Sequence, residues 1–312
     1  MIPLMDRSTE HNPFMMTNDL PLLSIIIPVY NAERTIAATL NSLQQLSNES
    51  RQRTEVIVVN DGSQDRSVEI VNSMRLSFSP LEITLVVQKN EGVASARNAG
   101  LTRARGTHIL FLDADDELAC DPFPFLRKYP DASALSFAVR YYRNGDPIRV
   151  KRPRPIDPHD HLDVFTAGNA LSVSSMIFRK DRITHAFDPS FRNLEDWLFW
   201  MVNPRIFDTM LLFPEATSAN IHIHGKNMSS NFDIMGSYRQ SLERVEDTYA
   251  FTLTSKQKNN LSIQSAIGSI LRGQSPSLRS FVLFPCNARL YLKFIAYAVL
   301  RRQLTRTNMY RT

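Results

Sequence analysis

Several things are scarce in this chain. Cysteine occurs twice in 312 residues, at Cys120 and Cys286, and in no CxxC pair. That argues against a disulfide framework and a cysteine zinc site, and it predicts a reducing, cytoplasmic setting. Glycine occurs ten times, and neither GxxxxGK[ST] nor GxGxxG is present, which removes the P-loop and the dinucleotide fingerprint. No run of eighteen apolar residues exists. The nearest, residues 280–300, is broken by Pro285, Arg289 and Lys293, so no spanning helix is expected. The first twenty residues lack a basic start followed by an apolar run, and no signal peptide is read there. Acid is missing from the end. The last carboxylate is Asp247, and residues 248–312 carry +10 against −5 for residues 1–247. The sum, +5, is too mild to mark a nucleic-acid binder, and none is expected as a partner.

What is present reads as a folded globular chain, 43% hydrophobic and 21% charged. Residues 1–20 read as a loose arm. From there apolar strands alternate with helices: Leu22 to Val29, a helix capped by Asn31 and running to Gln45, Val56 to Val59, a helix around Val68 to Val71, Ile83 to Val87, a helix over Val93 to Arg105, and His108 to Leu112. Four strand–helix alternations predict a doubly wound α/β sheet. Further on, Ala134 to Tyr142 and Ser172 to Arg179 read as strands. Arg149 to Arg154 reads as a basic loop, Glu195 to Met201 as the opening of a helix, and Ile221 to His224 as a short strand. From Ile234 the pattern is helical with polar joints.

In an open parallel sheet, ligands bind where the strands end. The polar clusters fall there: Pro28-Val29-Tyr30-Asn31 after the first strand, Asn60-Asp61-Gly62-Ser63 after the second, Asp113-Ala114-Asp115-Asp116 after the fourth. Three carboxylates within four residues repel one another unless a cation sits among them. Hard oxygen ligands at this spacing suit Mg²⁺ or Mn²⁺, with substrate phosphates completing the shell. A solvated acidic turn is the plainer alternative.

At this point a resemblance emerges. LSIIIPVYNAERTIAATLNSL, EVIVVNDGSQDRSVEIV, NEGVASARNAGLTRARGTHILFLDADDEL and, further on, LEDWLFW resemble the family 2 glycosyltransferases. That resemblance implies a GT-A fold, Rossmann-like, with a mostly parallel central sheet flanked by helices. It divides the chain into the arm (1–20), a transferase domain (21–232, with a nucleotide-sugar half at 21–120 and an acceptor half at 121–232) and a helical, basic C-terminal extension (233–312). It also implies inverting transfer of a sugar from a nucleotide-sugar donor, usually UDP-linked, to a hydroxyl of a glycan or polyprenyl-diphosphate-linked oligosaccharide.

The family's roles carry over position by position. Pro28 and Tyr30 belong to the stretch that packs on the nucleobase, and Asp61 to the carboxylate that accepts from uracil, with helix capping as its rival role. Arg97 and Asn98 line the donor pocket, although Arg97 also reads as a surface residue beside Glu91. Asp113 and Asp115 match the DxD motif that holds ribose and metal, with Asp116 as a further ligand. Glu195-Asp196 matches the ED motif, in which the Asp is the general base; an acidic pair at a helix start reads otherwise as a dipole partner. His224 matches the later histidine near the diphosphate and metal, with Lys226 beside it. Trp197 and Trp200 read either as sugar platforms or as core. Leu290 to Leu300, flanked by Arg289, Arg301 and Arg302, is too short to span a bilayer. It reads either as an interfacial helix on an anionic membrane, which predicts peripheral attachment at the inner face of the cytoplasmic membrane, or as a helix packed on the body. The two rival functions are a non-catalytic nucleotide-sugar-binding relative that acts as an assembly partner, and a nucleotidyltransferase. The second is disfavoured by Tyr30-Asn31-Ala32 where a Gly- and Arg-rich loop is expected.

Overall fold

The computed structural model describes residues 20–191, 194–223, 248–249, 252–271 and 296. The first half is the predicted alternation. Strands β1 (Leu23–Val29), β2 (Thr54–Asp61), β3 (Glu82–Gln88) and β4 (His108–Phe111) are joined through helices α1 (Ile36–Ser42), α2 (Asn48–Gln52), α3 (Ser67–Met74) and α4 (Val93–Arg103). β1 pairs in parallel with β2 and with β4, and β2 with β3. The second half adds β5 (Glu117–Leu118), α5 (Phe123–Lys128), β6 (Ala134–Arg143), β7 (Asp146–Lys151), α6 (His161–Thr166), β8 (Met176–Arg179), α7 (Glu195–Val202), β9 (Met210–Ile223) and α8 (Ser255–Leu271). The nine strands form one sheet in the order β3-β2-β1-β4-β8-β6-β9-β5, with β7 on β6. β8 joins antiparallel between β4 and β6.

The continuous apolar run of β1 follows from burial on both faces. Side chains alternate across a strand, so Ile25 and Ile27 join one core with α1 and α3. Ile26 joins the other, where α4 and α7 pack. α4 approaches so closely that a Cβ on Gly100 would collide with Ile26. Pro28 is tolerated because the β1–β4 ladder ends at Ile26, so its missing N–H lies beyond the last rung on that side.

Four local readings are corrected. Asn31 does not cap a helix. It adopts φ 49°, and α1 starts only at Ile36. Asn31 instead ties two strand ends together, its Oδ1 accepting from Gln64 N at 2.8 Å and its own N–H reaching Ser63 Oγ at 3.0 Å. Arg149 to Arg154 is not wholly a loop: β7 runs to Lys151, antiparallel to β6. Ile221 begins no short strand but lies near the end of the 14-residue β9. Residues 173–175 form a 3₁₀ turn before β8.

Candidate active site

β1 sends its chain to β2 on one side and has β4 on the other, which makes the carboxyl ends of β1 and β4 the topological switch point. Tyr30 stands there 52% exposed, so it covers solvent-facing surface rather than core. Asp61 is buried and already engaged. It accepts from the Glu91 and Gly92 N–H groups at 2.9 Å each and from Gln88 Nε2 at 2.8 Å, which holds the turn that starts α4. Gly62, at φ 74°, is needed beside it: a Cβ would press on Asn90 N at 2.8 Å.

Arg97 is the hinge of the site. It leaves the buried face of α4, so it is no surface partner of Glu91. Its Nη1 donates to Glu195 Oε1 at 2.7 Å and its Nη2 to Asp113 Oδ1 at 2.9 Å. One guanidinium fork thereby joins the acidic end of β4 to the start of α7, which the chain separates widely. Phe111 and Phe187 line it at 5.9 and 5.4 Å. Burial would lower its pKa, but Asp113, Glu195 and Asp196 outweigh that and hold it charged. Asn98, one residue on, has both ends of its amide occupied by the Phe187 backbone at 2.8 and 2.9 Å. It therefore fastens α4 to the segment before α7, and contact with a donor would require that pair to open.

Asp196 Oδ1 accepts from Trp197 N and Oδ2 from Asn169 Nδ2, both at 2.7 Å. Burial drives its pKa above the usual carboxylate value against the pull of Arg97, Asn169 and Trp197. Glu195 is raised too, by burial first and by Asp196, although Arg97 opposes. Leu194, which enters α7, sits at φ 66°, a costly left-handed conformation for a γ-branched residue, found where the fold over-determines it. Trp197 and Trp200 are fully buried. Trp197 donates to Phe165 O at 2.8 Å, and Trp200 packs edge-on to Phe178. Both are core rather than sugar platforms.

At the end of β4, Asp116 is buried and accepts from His222 N at 3.1 Å. Burial, then the negative charges of Asp113 and Asp115, push its pKa well up. Such crowding of negative charge fits a bound cation. Among the described residues no three His, Cys, Asp or Glu side chains converge to hold a metal; a hard divalent ion at Asp113 and Asp115 would need phosphate oxygens and water as its other ligands. His224 and Lys226 lie outside the described residues. His222, near the end of β9, stacks on Tyr142 at 5.4 Å and approaches Glu117 at 3.4 Å.

Three site neighbours escape a reading of motifs. Asn169 stands alone after Gly168, and no local signal marks it. Tyr141 and Lys151 come in on the β6–β7 hairpin. Asn144 and Gly145 both have positive φ, 53° and 87°, as a two-residue I′ turn demands; that Asn-Gly pair is the signal for this hairpin in the sequence.

The profile of glycosyl transferase family 2 matches residues 24–185, and the chain belongs to that family. Among its relatives, a glycosyltransferase of Haemophilus influenzae is 29% identical over 222 residues, covering 68% of this chain and 84% of the relative. The amylovoran biosynthesis glycosyltransferase AmsB of Erwinia amylovora is 29% identical over 188 residues, 56% of this chain and 61% of the relative. Two solved structures share the GT-A fold. S. aureus TarS in complex with UDP-GlcNAc has a TM-score of 0.57 at 19% identity over 80% of this chain and 72% of that one. The mannosyltransferase PcManGT of Pyrobaculum calidifontis, in complex with GDP-Man and Mn²⁺, has a TM-score of 0.55 at 17% identity over 93% and 85%.

Proposed function

We propose that this chain transfers a sugar, with inversion, from a nucleotide-sugar donor of the UDP type to a hydroxyl of a glycan or lipid-linked oligosaccharide in cell-surface polysaccharide assembly. The observation that carries this reading is the Arg97 bridge, which ties Asp113, at the acidic end of β4, to Glu195, the neighbour of Asp196. TarS with UDP-GlcNAc and PcManGT with GDP-Man support the donor class, and the amylovoran relative supports the pathway class.

On this reading Tyr30 and Pro28 flank the nucleobase, while Asp61 supplies a remaining lone pair. Asp113 and Asp115, with His224 as a further ligand, would hold Mg²⁺ or Mn²⁺, whose charge would stabilise the leaving diphosphate. Asp196 takes the acceptor proton as the hydroxyl attacks the anomeric carbon. A raised pKa makes it a stronger base than an ordinary aspartate. Arg97 and Asn169 hold its position and charge. Residues 21–232 form the transferase domain and 233–312 an extension. Its basic end supplies peripheral attachment, which co-sedimentation of the full chain with phosphatidylglycerol vesicles at low salt checks. Retention in the supernatant would remove the membrane role.

The test is a donor screen with Mn²⁺ on the wild type and Asp196→Asn. The variant should retain UDP binding and lose at least about a hundredfold in transfer, the usual worth of a general base. Undiminished transfer in the variant would overturn the assignment of the base.

A further inference from the structure

β7 lays positive charge along one side of the candidate base. The register pairs Tyr141 with Arg149 and Val139 with Lys151. Arg149 and Lys151, two apart on an extended strand, therefore project to one face. The Arg149 guanidinium lies 4.0 Å from the centre of the Tyr141 ring, and Tyr141 feels both Asp116 and Asp196. Lys151 Nζ donates to Asn169 O at 3.4 Å, and the Asn169 amide is the group that donates to Asp196. One residue thus separates the ammonium from the base.

The charges around Lys151 do not balance. Burial above all, with the nearby Arg149 and Arg154, lowers its pKa to about 8 against the pull of Asp196. An ammonium has three donor hydrogens, and the one bond recorded for Lys151 is long. Arg152 turns elsewhere, to Glu215 at 3.9 Å. The site is therefore polarised. Asp113, Asp115 and Asp116 cluster after β4, whereas Arg149, Lys151 and Arg154 cluster on and just after β7, with Asp196 the carboxylate that favours the Lys151 ammonium. Guanidinium forks beside a compact ammonium match the oxygens of a phosphoryl group.

We propose that Arg149, Lys151 and Arg154 form an anion subsite that receives a phosphate group carried by the acceptor, and so select acceptors phosphorylated near the hydroxyl that Asp196 serves. This rests on Asp196 being the base of a sugar transfer. The phosphate anchors the acceptor beside Asn169 and Asp196, where Lys151 reaches. It also supplies the anion that the β7 face lacks.

The experiment has two arms. In the first, octyl phosphate and neutral octyl glucoside are titrated into the full chain saturated with UDP and Mn²⁺, so that the donor's diphosphate site is filled. Octyl phosphate should bind at least tenfold tighter than the glucoside. Arg149→Gln and Lys151→Gln should each cut that preference tenfold or more, with Arg149→Lys restoring part of it. Arg149 is exposed, so its variants test the charge without disturbing the core. In the second arm, transfer to octyl glycosides is compared with transfer to the same sugars as octyl diphosphate esters. The KM ratio should favour the esters in the wild type and collapse towards one in the variants. Equal affinity for the two octyl probes, or an unchanged preference in both variants, overturns the subsite. So does a loss confined to binding of phosphatidylglycerol vesicles, which would make these residues a lipid contact. Absence of turnover with every donor, alongside intact octyl phosphate selectivity, would instead overturn the transferase reading and leave the anion site standing.

Discussion

The two carboxylates that start α7 do different things because they meet different partners. Glu195 is buried and paired with Arg97, whereas Asp196 is only partly buried and is held by one amide and one backbone N–H. Removing one partner of a buried ion pair leaves an uncompensated charge, typically worth about 3–5 kcal/mol. Arg97 is thus as much a structural residue as a site residue. Asp196 must be ionised to accept a proton, and its pKa is raised above 3.8 by burial. The acidic limb of kcat/KM should therefore lie above the ordinary aspartate range. Asn169 stabilises the ionised form, so Asn169→Ala should move the limb to still higher pH while the alkaline side stays put. A pH–rate profile checks this, and a limb that stays or moves down contradicts the positioning role.

Among the elements, α8 is the one whose place the chain order least suggests. It packs on α6 with Leu261 and Ile267 buried, and it also carries buried amides. Gln257 Nε2 donates to Asp163 Oδ1 at 2.8 Å, Asn260 Nδ2 reaches Thr166 Oγ1 at 3.4 Å, and Gln264 Nε2 donates to Ala167 O. Lys256 adds an ion pair to Asp163 at 2.6 Å. The stretch it grips, residues 163–167, leads directly into Asn169. α8 therefore braces the stretch that leads to Asn169, the partner of Asp196. Gln264→Leu should leave the Ala167 carbonyl without that donor and destabilise the fold by about 1–3 kcal/mol, read as a lower urea midpoint. It should also raise the acidic limb of the rate profile in the same direction as Asn169→Ala. A lower midpoint with an unmoved limb would confine α8 to a packing role.

For the whole molecule, acid sensitivity is set far from the site. Burial raises the Glu55 pKa, but the Ser24 hydroxyl and the Arg105 N–H and guanidinium outweigh it and hold it below 4.5. A depressed carboxylate contributes stability that is present above its unfolded pKa and lost as pH falls through the folded one. His108 is buried at the start of β4, with its pKa lowered from 6.5 to about 4. The unfolded chain therefore takes up that proton first, and stability falls as pH drops across that window. The urea midpoint should decline from pH 6.5 to 4 and more steeply below 4.5. Glu55→Gln should be less stable at pH 7 and show a flatter decline below 4.5; an unchanged slope there would show that Glu55 is not the acid-sensitive group.

At this scale the −5 of residues 1–247 is a balance of local clusters: Asp113, Asp115 and Asp116 follow β4, while Arg149 and Lys151 lie on β7 and Arg154 just after it. No helix among the described residues is long and apolar enough to cross a membrane.

The sequence by itself determined the parts that depend on neighbours along the chain. The buried parallel strands follow from unbroken apolar runs, and the polar ends of β1, β2 and β4 follow where those runs stop. The DADD and ED stretches are visible because each group acts within a few residues. Asn144-Gly145 likewise encodes the hairpin that makes β7, although a stretch rich in Arg and Pro reads first as a loop. Tertiary structure decided everything that depends on distance through space. Only the packing of α4 against α7 turns Arg97 inward to join Asp113 with Glu195. Only burial makes core of Trp197 and Trp200, and only folding brings Asn169, 27 residues away in the chain, to Asp196. A hydrogen bond or a Coulomb interaction depends on separation and on exclusion of water. Neither is a function of position in the chain, so the partners of the candidate base are set when the sheet closes and the helices pack over it.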